Sequence, residues 1–237
     1  METYRYEIHC HTKQGSACGR KTGAEVAERY KELGYTGVII TDHFFNGNCA
    51  VSPDLPWRER VERFFDGYED AKATGDRIGL QVLYGWEYNY LTTEFLTYGL
   101  DKQWLIDNDD ILTISPEEYC ERVHRDGGYI VHAHPFRERA YITYMRLFPH
   151  YVDAVETVNA AHHLFPDFDK RADFYADSYH LPKVAGSDYH FDYVGGLCAV
   201  DFEERLTDTK HFAALVAAGK HKNYRLDTQG RVLLFLG

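Results

Sequence analysis

Three apolar runs in this chain each end in two metal-ligating side chain types spaced i, i+2. They are His9/His11 after residues 4–8, His132/His134 after 129–131, and Asp188/His190 after 184–185. Residues two apart on a strand share a face, so each pair can aim imidazole or carboxylate groups at one point. Those donors suit Zn, Mn and Fe ions. Two further strand ends add to them: Thr41-Asp42-His43 follows the run 37–40, and Glu87 follows 82–86. An ionised carboxylate behind such a strand is costly unless it is paired or bound to a cation. A single strand-end histidine is an ordinary structural residue. Five strand ends carrying His, Asp or Glu point to a metal-dependent enzyme.

The elements that must position these groups alternate between strand and helix. Residues 4–11 read as a strand. Residues 22–33 read as a helix, with Thr22 and Glu25 as a capping box and Gly34 as the stop. A short buried strand at 37–41 precedes a long helix at 57–73, whose apolar face carries Val61, Phe64, Phe65 and Tyr68. Strands are expected at 80–86 and 95–100. Ser115, Pro116 and Glu118 open another helix, which ends at Arg125. Strands at 129–132, 152–158, 183–185 and 232–235 and helices at 165–179 and 207–218 complete the pattern. About seven βα units without a linker or repeat predict one α/β domain over residues 1–237. Its parallel strands would form a closed or nearly closed barrel, with the ligands at their C-terminal ends.

The net charge of −11 argues against gripping nucleic-acid polymers through their phosphates. It leaves room for a small phosphorylated substrate held where bound cations dominate the local field. Five scattered cysteines with no CxxC pair give neither a disulfide framework nor a thiolate zinc knuckle, so a reducing cytoplasm is expected. No apolar stretch is long enough for a membrane span, and the first residues lack the basic and apolar regions of a signal peptide.

His9-Cys10-His11, Thr41-Asp42-His43, Gly85-Trp86-Glu87, Ala133-His134-Pro135 and Gly186-Ser187-Asp188-Tyr189-His190 together resemble the polymerase and histidinol phosphatase (PHP) family. The motifs stand in family order over residues 9–190. The resemblance implies a distorted (β/α)7 barrel holding two or three divalent ions (Zn, Mn or Fe) and hydrolysis of phosphate esters. Carried over by position, His9, His11, Glu87 and Asp188 would hold a first ion, and His43 and His190 a second. His134 would hold a third together with a bridging Glu87. The nucleophile would then be a metal-bound hydroxide.

Two positions depart from the family pattern. Residues 12–19, where many relatives carry Asp or His, contain neither. Cys18 there is either a substitute thiolate ligand or a small packed cysteine. Glu94 falls near a position where many relatives have His. It is either a ligand of the third ion or a solvated strand-start carboxylate.

Arg137, three residues past His134, offers a fork that fits phosphate oxygens and is read as substrate-binding rather than as a surface ion pair. Asp42, Arg137 and His132 form the expected catalytic set. Asp42 would orient a neighbouring group, and His132 would hydrogen-bond in the pocket by strand parity. Glu156 and Asn159 are placed at the pocket wall, Asn159 as a substrate contact, and His162 and His163 are read as loop histidines. Tyr88, Tyr90, Tyr189 and Tyr193, beside the motifs, suit either the pocket rim or the core.

The function this predicts is hydrolysis of a small phosphomonoester, with no membrane or nucleic-acid partner. The alternatives are a catalytically silent metal-binding domain and a metal-dependent hydrolase of another ester or an amide.

Overall fold

The computed structural model describes residues 3–192 and 195–236, so Tyr193 lies outside the described residues. The chain runs β1 (Tyr4–Cys10), α1 (Gly23–Glu32), β2 (Gly37–Ile40), α2 (Trp57–Phe64), α3 (Asp66–Ile78), β3 (Gln81–Tyr84), β4 (Trp86–Tyr90) and β5 (Thr93–Tyr98). It continues through α4 (Lys102–Asp107), α5 (Pro116–Arg125), β6 (Tyr129–Ala133), β7 (Ala154–Asn159), α6 (Pro166–Tyr179) and β8 (Lys183–Gly186). The last elements are β9 (Leu197–Phe202), α7 (Thr209–Ala217), β10 (Lys222–Leu226) and β11 (Val232–Phe235).

The strands form two sheets, a six-stranded one in the order β11-β10-β9-β1-β2-β3 and a five-stranded one in the order β4-β5-β6-β7-β8. Pairing is parallel for β1/β2, β2/β3 and β7/β8, which helices connect, and for β6/β7, which a long loop connects. It is antiparallel for β1/β9, β9/β10, β10/β11, β4/β5 and β5/β6. The α/β class is as expected, and the strands stand in two sheets whose ladder does not close into a barrel among the described residues. Two isolated parallel bridges, Cys10 with Tyr189 and His43 with Glu87, join the sheets where the candidate ligands lie.

The element expectations fail at two informative places. Residues 80–86 do not form one strand: the chain breaks at Gly85, so β3 ends one sheet and β4 begins the other. A Cβ at Gly85 would come within 2.4 Å of the Thr97 carbonyl oxygen, which is why only glycine makes this crossing. Glu87 consequently sits inside β4 rather than after a strand. The long helix divides at Phe65, which caps both α2 and α3. The Thr22/Glu25 capping box forms as read, and of the second box expected at residues 115–118 the Ser115 cap forms, accepting the Glu118 N–H with Pro116 in the first turn.

One core cluster lies between the sheets and includes Tyr6, Ile8, Ile39, Leu96, Val131, Val184 and Val200. Glu7 is fully buried beside it. Its carboxylate accepts from the backbone N–H groups of Ile8, His9 and Ser187 at 3.0, 2.8 and 3.0 Å, and from the Tyr30 hydroxyl at 2.9 Å. The Ser187 hydroxyl donates to it as well. Glu7 thereby ties β1 to α1 and to the turn after β8, and fixes the strand end that carries His9.

Candidate metal centre

His9, His11, Glu87, His134 and Asp188 come together in a buried cluster where the two sheets meet. Glu87 is its hub: Oε1 lies 3.1 Å from both His9 Nε2 and His134 Nε2, and Oε2 lies 2.6 Å from His43 Nδ1 and 3.6 Å from His11 Nε2. Asp188 Oδ1 lies 3.2 Å from His11 Nε2 and 3.5 Å from His9 Nε2. Glu94, at the edge, reaches to 3.5 Å from His134 Nε2 and 3.8 Å from His43 Nδ1, and accepts from Asn89 Nδ2 at 3.1 Å. His190 stands beside His43, with their Nε2 atoms 3.4 Å apart.

The far edges of these imidazoles are tied back. His9 Nδ1 lies 2.8 Å from Glu156 Oε1, whose other oxygen accepts from the His134 N–H and from Asn159 Nδ2, each at 3.0 Å. His11 Nδ1 lies 2.9 Å from Ser16 Oγ. That hydroxyl donates its one proton to Asp42 Oδ1 at 2.7 Å and accepts the His43 N–H at 2.9 Å. Its remaining lone pair must accept from His11, so His11 carries its proton on Nδ1. His190 Nδ1 donates to the Asp188 carbonyl at 2.9 Å. Each arrangement leaves Nε2 facing the centre, as a metal ligand requires.

The fit to cations rests on what these inner edges lack. His9 Nε2, His11 Nε2 and His43 Nδ1 are buried, close to carboxylate oxygens, and yet in no hydrogen bond of sound geometry. Groups of at least three donors whose ligand atoms lie within 4.8 Å of one another are His9/His11/Glu87, His9/His134/Asp188, His11/His43/His190 and His43/Glu87/Glu94. His134 Nε2 does pair with Glu87 Oε1 at 3.1 Å, but three buried imidazole nitrogens converging on carboxylates without a hydrogen bond form a donor set of the kind divalent ions take.

The electrostatics agree. Burial would push the Glu87 carboxyl up, yet His9 and His43 hold it well below the usual range. Burial likewise opposes ionisation of Asp188, and Arg137 and His9 overcome it. His9 is depressed by burial but carried well above its ordinary value by Glu156, Glu87 and Asp188. His11 is driven well below it by burial and by His190 and His43. The carboxylates thus call for positive charge at their midst, which protons or metal ions can supply.

Asp42 does not face the donor cluster. Its oxygens accept from the Thr12 backbone N–H and hydroxyl, both at 2.6 Å, as well as from Ser16, and it acts on His11 through that serine. A Cβ at Gly15 would fall 2.3 Å from Asp42 Cγ, so glycine is required for the loop to wrap this carboxylate.

Arg137 points its guanidinium at Asp188 Oδ2 and donates from Nε to His162 Nε2 at 3.2 Å. His162 in turn holds Asp169 Oδ1 at 2.7 Å through Nδ1. His162 is thus a buried support of Arg137, which corrects its reading as a loop histidine. Arg137, Arg139, Glu94, Asp188, His43, His190, Cys18 and His163 line an open cleft of about 800 Å³ above the cluster. Burial pushes the Cys18 thiol up, but hydrogen bonding with His190 and His43 brings it down to about 6.

Two expected site residues are elsewhere. His132 is fully buried among Phe95, Phe148 and Tyr175, where burial and the nearby His134 lower it to about 3. Strand parity does not carry His132 to the cluster, because His134 has φ +27° and turns out of the strand that His132 still follows. Asn159 is also fully buried: its Nδ2 donates to Glu156 and its Oδ1 accepts from the Ala161 N–H at 2.9 Å. It supports Glu156 rather than meeting a substrate. Tyr88 and Tyr189 are core residues.

Residues 7–228 match the model of the PHP domain. Among solved structures, the chain is similar over its whole length to 67% of a two-domain protein from Bacteroides vulgatus, at 14% identity and a TM-score of 0.72. That protein is described as containing a predicted PHP-like metal-dependent phosphoesterase. PsfC from Pseudomonas syringae is similar over 90% of this chain and 89% of its own, at 19% identity and a TM-score of 0.56. A candidate metal-dependent phosphoesterase from Bifidobacterium adolescentis aligns with 90% of this chain and 96% of its own, at 18% identity and a TM-score of 0.55. No curated protein matches the sequence.

Proposed function

The chain belongs to the PHP domain family, and on that premise we propose that it is a metal-dependent phosphoesterase. It hydrolyses a small phosphomonoester at a centre of two or three divalent ions, Zn, Mn or Fe. The observation that carries this reading is the set of buried, unsatisfied imidazole nitrogens turned toward Glu87 and Asp188. His9, His11, Glu87 and Asp188 would hold one ion, His43 and His190 another, and His134 with Glu87 or Glu94 a third. When bound, the ions supply an activated water and neutralise phosphate oxygens.

The protein's own groups do the rest. Arg137 sits at the cleft wall with its charge directed toward the centre, and its fork can take a phosphate oxygen while Asp188 anchors it. Arg139, on the same wall, adds to the attraction for an anion. Glu156 and Ser16 hold His9 and His11 in the ligating tautomer. The cleft suits a small molecule, and the net charge of −11 disfavours a nucleic-acid polymer. Among the described residues, no helix is long and apolar enough to cross a membrane.

The test is a panel of phosphomonoesters, phosphodiesters and amides offered to protein reconstituted with each metal. Turnover of monoesters above the other classes is expected. Preference for diesters or amides would overturn the substrate class.

A further inference from the structure

We propose that Cys18 supplies a thiolate ligand to the cation held by His11, His43 and His190, making that position a mixed nitrogen–sulfur site. The proposal rests on the metal-dependent reading above and goes beyond it in assigning a ligand and a metal preference.

The three imidazoles crowd together, with His11 stacked on His190 and tilted against His43. His11 and His190 have ring centroids 4.1 Å apart, and His11 and His43 4.3 Å apart. His43 Nδ1 is directed at Glu87 Oε2 at 2.6 Å, and His190 Nδ1 is held by the Asp188 carbonyl. The two Nε2 atoms therefore confront one another at 3.4 Å. Two imidazole lone pairs at that separation repel unless a proton or a cation is shared between them. His11 Nε2, fully buried and in no hydrogen bond, belongs to the same group of donors.

The loop after β1 brings a sulfur to this group. Ser16 is pinned by His11 and Asp42, the Ala17 N–H donates to the Asn48 carbonyl at 2.9 Å, and the Gly19 N–H closes back on the Ser16 carbonyl at 2.9 Å. The Arg20 N–H then donates to the carbonyl of His190 itself at 3.0 Å. Cys18 is held between these anchors on the wall of the cleft that His43 and His190 also line. Residues 12–19 contain no Asp or His that could serve instead. On binding, the thiol proton passes to solvent and the thiolate sulfur bonds the divalent ion. A sulfur donor favours Zn, Fe(II) or Co(II) over Mn or Mg, which prefer oxygen.

Cobalt is the probe. Wild-type protein loaded with Co(II) is expected to show an intense sulfur-to-cobalt charge-transfer band in the near ultraviolet. That band should vanish in Cys18→Ser and Cys18→Asp. Cys18→Ala should retain one fewer zinc ion per chain, and Cys18→Asp should regain it. In the unsubstituted protein, zinc should slow alkylation of Cys18, located by peptide mass mapping, by about tenfold or more. This last readout does not depend on the variants folding.

Cobalt bound without the band, a band that survives in Cys18→Ser, or failure to bind cobalt would each overturn the proposal. Absence of phosphatase turnover with the band intact would count against the proposed function alone.

Discussion

Glu156 Oε1 stands 2.8 Å from His9 Nδ1, on the opposite edge of the imidazole from Glu87. The buried carboxylate fixes His9 with Nε2 toward the centre, and its other oxygen holds the backbone of His134. Removing it should loosen two of the proposed ligands at once. Glu156→Ala is expected to weaken metal binding by about 10- to 100-fold, the usual cost of losing such support. Glu156→Gln should fall between, because its amide can still accept from His9 but must turn an N–H₂ toward the donors from His134 and Asn159. Chelator competition reads both; unchanged affinity in Glu156→Ala would contradict the role.

Ser16→Ala removes the acceptor that sets the His11 tautomer while leaving no larger cavity than a hydroxyl. Metal affinity should fall about tenfold. Stability of the metal-free protein should fall by only about 1–2 kcal/mol, the cost of unpairing buried polar groups. A loss of stability with full metal affinity would place Ser16 in the fold rather than the site.

Arg137→Lys keeps the charge but loses the fork. A rise in KM of about tenfold with a smaller change in kcat is expected for phosphomonoesters, because phosphate oxygens lose a paired contact. An unchanged KM would sever Arg137 from the substrate.

These groups were unequally legible in the sequence. The spacing of His9 and His11 marked two imidazoles that the fold brings to one cluster, since β1 runs to the residue between them. It misled at His132 because the backbone at His134 is left-handed, and Asp188 is left-handed too, with φ +52°. Such turns redirect a side chain without leaving a mark in residue type. Ser16, His162 and Glu7 carry no periodic signal: each acquires its role from a contact distant in the chain or made only on folding. The βα alternation gave the fold class. The antiparallel pairing of β9 with β1 and with β10 leaves no mark in that alternation. The crossing of the chain between sheets at Gly85 was not anticipated either, because its cause is contact with Thr97.

Glu7 predicts a pH signature of stability. Burial raises its carboxyl to about 7 from 4.5, against hydrogen bonds from Ser187, His9 and Tyr30 that favour ionisation. The folded value is above the unfolded one, so the protonated form is favoured by folding. Its contribution is present in full below the unfolded value and is lost as pH rises through the folded one. Metal-free wild type should lose stability relative to Glu7→Gln by up to about 1.4 kcal/mol per pH unit across that interval. Urea unfolding of the pair at several pH values measures it, and a constant difference would refute the assignment.

The most direct measurement is release of inorganic phosphate from a small phosphomonoester by protein stripped of metal and reloaded with Zn, Mn or Fe. The account predicts turnover that is abolished by chelation, restored by the ion, and absent in His11→Ala and Asp188→Ala variants that remain folded. Full activity in either variant, or metal bound by the wild type with no turnover of any phosphomonoester tested, would contradict it.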